Sequence, residues 1–182
     1  MEAIASHYHD IPRVRFSFGI QSLDDTILAQ SGRHCSFTGM QTFTEKLLAI
    51  KQPHMRYNYD FIAFGAKTPR LDPHSPQYTR LQALLLSHRI DSTSLYTLEL
   101  FAGSQRYHPS HTADPLLSYE APRDHDLPFS SSEDAIFDEF THLKQLFHET
   151  GYARYEISNY ALPDRESIHN MVYRTMQPYL GL

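Results

Sequence analysis

Three polar side chains fall where a strand ends or a turn begins. Gln21 closes Gly19-Ile20-Gln21-Ser22 and offers an amide that both donates and accepts. Arg33 follows Gly32, a residue suited to ending a helix, and its guanidinium fork suits a carboxylate or phosphate. Asp60, within Asn58-Tyr59-Asp60, is a carboxylate among aromatics, costly to bury unless it is paired or faces a ligand. Each has a plainer alternative: a solvated turn glutamine, a surface arginine, and an ion pair from Asp60 to Arg56 two residues earlier on the same strand face.

A second group lies late in the chain. Tyr155-Glu156-Ile157-Ser158-Asn159-Tyr160-Ala161 and Ser167-Ile168-His169-Asn170-Met171-Val172-Tyr173 are dense in polar and aromatic side chains. His169 is a candidate axial ligand for an iron porphyrin, with nearby tyrosines to wall the ring; the structural alternative is a histidine that closes a hairpin. Among the other histidines, His7-Tyr8-His9 and His108-Pro109-Ser110-His111 have spacings that zinc could use, but no third and fourth ligands follow, so no dedicated metal site is expected. His142 and His148 read as surface positions. Cys35 is the sole cysteine. It cannot form an internal disulfide or alone hold an iron–sulfur cluster, and the usual role of a lone cysteine is a small buried hydrophobe.

Alternating strands and helices must position these groups. Val14, Phe16 and Phe18 share one parity against Arg13, Arg15 and Ser17, which is strand periodicity. Asp24 or Asp25 starts a short helix ending near Gly32, and a second helix spans about Phe43 to Ile50. Met55 to Phe64 alternates as a strand. Ser75 caps and Pro76 opens a helix through Leu86, and Ser94 to Leu100 reads as a third strand. Strands beginning about forty residues apart with helices between them indicate right-handed crossovers and parallel pairing. A closed eight-fold barrel needs about 250 residues, so the pattern is an open α/β layer or part of a barrel. Residues 101–130 lose periodicity and read as an irregular connection. Ser131 or Ser132 caps a helix whose apolar face is Ile136, Phe137, Phe140, Leu143, Leu146 and Phe147, ending at Gly151. Tyr152 to Ala161 reads as a strand, with Ile168 to Met176 as a hairpin partner.

Composition agrees with a folded globular chain: of 182 residues 41% are hydrophobic and 20% charged. The net charge of -5 and the absence of a basic run argue against a nucleic-acid binder. No apolar run approaches the ~20 residues of a membrane span. Met1-Glu2-Ala3-Ile4 shows no export signal, so the expectation is a cytoplasmic protein.

Phe16-Ser17-Phe18-Gly19-Ile20-Gln21-Ser22-Leu23-Asp24-Asp25 with Gly32-Arg33 resembles a segment of the radical S-adenosylmethionine (SAM) group that contains the oxygen-independent coproporphyrinogen III oxidases and the related heme chaperones. Asn58-Tyr59-Asp60-Phe61-Ile62 is similar to the next strand of that group, and Glu99 to the acidic end of the one after. Tyr155 to Ala161, His169-Asn170-x-x-Tyr173 and Tyr179-Leu180-Gly181 resemble its late signature, the His-Asn-x-x-Tyr element favouring the heme-chaperone branch. The resemblance implies a partial (β/α) radical SAM barrel of about three βα units over 1–100, the connection 101–130, and a small α/β extension over 131–182. It implies SAM contacts from Gln21, Arg33 and Asp60, with Arg33 on the methionyl carboxylate and Gln21 and Asp60 on amino or hydroxyl groups. It places His169, Asn170 and Tyr173 in a heme-contacting region. The implied partners are heme or porphyrin and a heme-accepting protein.

The departures limit this. The group's Cys-x3-Cys-x2-Cys motif for a [4Fe–4S] cluster has no counterpart here. Gly65-Ala66-Lys67 stands where the group has Gly-Leu-Pro, His34 is adjacent to Arg33 rather than two residues on, and Arg174 replaces a tryptophan after Tyr173. The expectation is a chain cut at both ends or a decayed paralogue, heme chaperone-like but catalytically incomplete. The alternatives are an oxidase that decarboxylates porphyrinogen propionates and a cluster-free binding module. Unpaired strand edges would favour self-association.

Overall fold

The computed structural model describes residues 12–65, 75–98 and 133–178. Strand β1 (Val14–Gln21) is followed by helices α1 (Asp25–Gln30) and α2 (Phe37–Ala49), strand β2 (Met55–Ala63), helix α3 (Pro76–Leu86) and strand β3 (Ser92–Thr97). Helix α4 (Glu133–Glu149), strands β4 (Ala153–Arg154) and β5 (Asn159–Ala161), and helix α5 (Ile168–Arg174) complete it. The five strands form one sheet in the order β1-β2-β3-β5-β4. β1, β2 and β3 pair in parallel, whereas β5 runs antiparallel to β3 and to β4. The α/β class and the parallel core follow the alternation of strand and helix in the sequence.

Strand alternation divides the sheet into two faces. Tyr57, Tyr59, Phe61, Leu95 and Tyr160 enter the apolar core with Leu47 and Leu48 of α2, Leu81 and Leu85 of α3, and Leu143, Leu146 and Phe147 of α4. The phenol of Tyr59 is pushed up to about 12 by burial, although its hydrogen bond with Thr44 opposes the shift. The opposite face carries Ser17, Gly19, Asn58, Asp60, Ser92 and Ser94 in register.

One buried carboxylate fixes the start of β3. Asp91 accepts from the Tyr57 backbone N–H at 2.7 Å and from Lys51 at 2.6 Å, with Arg56 and Arg165 at 4.0 and 3.8 Å. Burial holds the Lys51 amine below its ordinary value despite the pull of Asp91. Arg56 therefore faces Asp91, and the expected Arg56–Asp60 pair is replaced.

Several local expectations are corrected. α2 begins at Phe37, not Phe43, because Ser36 caps it by accepting from the Gly39 N–H. β3 begins at Ser92, where Asp91 anchors it. The single strand expected over Tyr152–Ala161 is two short strands around a turn closed by Asn159 N–H to the Glu156 carbonyl. The expected hairpin partner Ile168–Met176 is helix α5, capped by Ser167, which accepts from the Asn170 N–H. Cys35 is exposed rather than buried. His142 and His148 are exposed, as read from the sequence. Glu99, the connection 101–130, Ser131, Ser132, Tyr179-Leu180-Gly181 and the pairs His7/His9 and His108/His111 lie outside the described residues.

Removing Asp91 strands three cations and a backbone donor. Asp91→Ala should cost about 3–5 kcal/mol, the range for breaking a buried ion pair, in chemical denaturation. Asp91→Asn, which keeps an acceptor for Tyr57, should cost less. Equal losses in the two variants would contradict the charge role.

Candidate functional site

The end of β1 departs from regular strand geometry. The register with β2 shifts between Gly19 and Gln21, and Gln21 takes a left-handed backbone at φ 68°. That conformation costs a non-glycine residue about 1–3 kcal/mol. It turns the Gln21 amide back over Gly19, where Nε2 occupies the position a Gly19 Cβ would need. Arg33 Nη2 lies 3.9 Å from the same point. Asp60 is the register partner of Gly19 on β2. The side chains of Gln21 and Arg33 thus lie over one glycine whose neighbour on the next strand is Asp60, at the carboxyl ends of two parallel strands, the edge where α/β proteins bind ligands.

Local sequence sets this geometry. Asp24 caps α1 by accepting from the Ile27 N–H at 2.9 Å. The helix stops at Gly32, φ 72°, and the Arg33 N–H donates to the Leu28 carbonyl. Asp25 accepts from the Phe37 N–H at 2.6 Å, which ties the far end of the 31–37 loop to the start of α1. Arg33 is consequently held at its base while its guanidinium stays exposed.

Asp60 is held by a polar chain across the sheet. Asn58, fully buried, donates from Nδ2 to Asp60 Oδ1 at 2.6 Å and to Ser94 Oγ at 3.0 Å, while its Oδ1 accepts from Ser92 at 2.8 Å. Ser94 donates to Asn159 Oδ1 at 2.9 Å, and Asn159 Nδ2 donates to Glu156 Oε2 at 2.5 Å. Asp60 Oδ2 has no hydrogen-bond partner among the described residues, so one oxygen is available for another donor.

The chain ends at a second feature. Glu156, Asn159, Asn170 and Tyr173 line an open cleft of about 750 Å³ with Tyr96, Arg154, Tyr155, Ile157 and Arg174. The Tyr155 hydroxyl accepts from the Ser167 N–H at 3.3 Å and from Asn170 Nδ2 at 3.4 Å, joining α5 to the β4–β5 turn. His169 is exposed on α5, its ring edge-on to Tyr173 at 4.6 Å and 85°. Asn170 and Tyr173 therefore reach the cleft, and His169 sits beside it. The Glu156 carboxyl is held below the ordinary carboxylate value, first by its hydrogen bond from Asn159; burial, the next largest effect, opposes this, and the N–H groups of Ile157 and Ser158 and then Arg174 add to the lowering.

Sequence reasoning did not single out Asp91, Arg154, Tyr96 or Glu139. Glu139 reaches from α4 to accept the N–H groups of Phe64 and Gly65 at 2.9 and 2.7 Å, closing the end of β2 where Gly65-Ala66 breaks the expected motif. A glutamate within a helix gives no sequence signal for a contact so distant in the chain.

The chain is 28% identical over 169 residues to the mitochondrial radical S-adenosyl methionine domain-containing protein 1 of Mus musculus, covering 92% of this chain and 34% of that protein. It is 25% identical over 176 residues to the heme chaperone HemW of Synechocystis sp., covering 96% and 38%. The Bos taurus radical S-adenosyl methionine domain-containing protein 1 is 30% identical over 174 residues, at 92% and 34%. The chain is a relative of the radical SAM proteins. It spans only 34% to 38% of the length of these relatives. No family model matches it. In fold it resembles the Escherichia coli coproporphyrinogen III oxidase HemN, described as a radical SAM enzyme, with a TM-score of 0.56 at 15% identity over 96% of this chain and 35% of that one.

The donor sets of this radical SAM relative differ in what they fit. An amide, a guanidinium and a carboxylate with one oxygen to spare suit the amino-acid and hydroxyl groups of SAM. A [4Fe–4S] cluster is not suited, because such a cluster is held by several thiolates and the chain carries one cysteine, exposed Cys35. Among the described residues no three His, Cys, Asp or Glu side chains form a metal-holding group, and no helix is long and apolar enough to cross a membrane.

The lowered Glu156 carboxyl gives stability that is fully present above its unfolded value of about 4.3. That stability is lost as pH falls through the lower folded value. The stability difference between the wild type and Glu156→Gln should be flat from pH 7 to 5 and shrink below that. A difference that stays constant down to pH 3 would remove the carboxylate from the turn.

Proposed function

We propose that this chain is a heme chaperone-like protein that holds SAM at the Gly19 rim and a tetrapyrrole in the cleft beside α5, for transfer to a heme-accepting protein. The observation that carries the reading is the placement of Gln21 and Arg33 over Gly19 with Asp60 as its register partner, in a chain whose curated relatives include a heme chaperone. The Arg33 fork takes the methionyl carboxylate. The Gln21 amide and the spare oxygen of Asp60 take amino or hydroxyl groups, with Asp60 kept in place by Asn58. When bound, SAM supplies a sulfonium whose reductive cleavage needs an electron from a cluster. One thiol does not hold that cluster, so no radical step is assigned to these residues.

At the cleft, His169 offers an imidazole nitrogen to iron, Tyr173 fixes the ring by its edge contact, and Asn170 joins α5 to Tyr155. The lone cysteine favours, as a second reading, a cluster-free binding module that holds the same ligands without catalysis. The oxidase alternative draws only on likeness of fold.

Two measurements test this. In calorimetric titration with SAM, Arg33→Ala should weaken binding by about tenfold or more, the loss expected for a charged hydrogen-bonded partner. Gly19→Ala should do the same by displacing the Gln21 amide while leaving the melting temperature nearly unchanged, since the clash is with a flexible side-chain end. Wild-type affinity in both variants would contradict the rim. In a heme titration followed by absorbance, His169→Ala should alter the Soret band. Spectra identical to wild type would eliminate His169 as the ligand.

A further inference from the structure

The sequence parts from its family pattern at Arg174, and that residue lines the cleft. We infer that Arg154 and Arg174 form a carboxylate clamp that selects tetrapyrroles by their acidic side chains. This deepens the tetrapyrrole reading of the cleft and rests on it.

Arg154 comes from β4 and Arg174 from the last turn of α5, so two arginines line one cleft from separate elements. The cleft volume, about 750 Å³, falls in the range of small-molecule sites. The one lining carboxylate among the described residues, Glu156, is engaged by its own turn: Oε2 accepts from Asn159 at 2.5 Å and from the Ser158 N–H at 3.3 Å. No ion pair joins Glu156 to either arginine among the described residues. Among the described residues Arg154 spends only Nε, on the Glu156 carbonyl at 3.2 Å, which leaves its terminal nitrogens for a fork on a carboxylate. Apolar surface surrounds the two cations. Ile157 is 73% exposed, Tyr173 47% and Tyr96 45%. A planar, apolar ligand that carries carboxylates at one edge matches this combination of charge and bare apolar surface. A tryptophan at position 174 would supply only the apolar part, so the clamp is a property of this chain.

Metal-free protoporphyrin isolates the clamp from the iron. Protoporphyrin and its dimethyl ester, delivered in the same mild detergent, should be titrated by fluorescence against the full chain. The diacid should bind about tenfold more tightly than the diester, as charge-assisted hydrogen bonds imply. Arg154→Gln and Arg174→Gln should each erase most of that advantage without weakening the diester. Equal binding of diacid and diester to wild type, or undiminished diacid binding in both arginine variants, overturns the clamp. If heme binding still falls in His169→Ala under that outcome, the tetrapyrrole reading stands without the clamp. If neither porphyrin nor heme binds, both fail.

Discussion

The buried amide of Asn58 is the constraint from which the arrangement follows. It lies on β2, between β1 and β3, on the face opposite the aromatic core, and has no access to solvent. A buried amide must find partners for both ends, and leaving one unpaired costs about 1–3 kcal/mol. Its oxygen takes Ser92, and its nitrogen is shared between Ser94 and Asp60. Those demands fix the register of β2 on β3. They also hold Asp60, the register partner of Gly19, and pass through Ser94 to Asn159 and Glu156. The rim at Gly19 and the cleft beside α5 are thus two ends of one hydrogen-bonded line across the sheet.

The two ends differ in how they are built. The rim depends on backbone: a register shift, a left-handed glutamine and a glycine that leaves room for its amide. The cleft depends on side chains that brace a short turn and a short helix through the Tyr155 hydroxyl. Asp91 plays a different part, since it gathers Lys51, Arg56 and Arg165 at the opposite end of β3 and ties that end to β2. The sheet is therefore anchored at its amino edge by charge and shaped at its carboxyl edge by polar groups that a ligand can meet.

What the sequence revealed follows the range of the interactions. Strand alternation, the Ser75-Pro76 start of α3 and the Gly32 stop are local signals, and each is found where the residues imply. Gln21, Arg33 and Asp60 were legible as candidates because they stand at strand ends or after a helix stop, but their meeting over Gly19 depends on a register shift that no local pattern encodes. Ile168–Met176 was misread because the polar, aromatic run around His169 lacks a clean period, and the deciding group is the single Ser167 cap. Asp91 and Glu139 were invisible for a related reason: their partners lie across the fold, at Lys51 and at Phe64 and Gly65. Arg174 stands out in the sequence only as a departure from the resembling pattern, and α5 places it in the same cleft as Arg154.

The convergence around Gly19 is the claim on which the functional account stands. Amide chemical shifts of isotope-labelled protein, followed as SAM is added, address it most directly. Saturable shifts centred on Gly19, Gln21, Arg33 and Asp60, with smaller changes passing to Asn58 and Ser94, are the outcome the account requires. Saturable shifts confined to other parts of the sheet, or none at millimolar SAM, would contradict it.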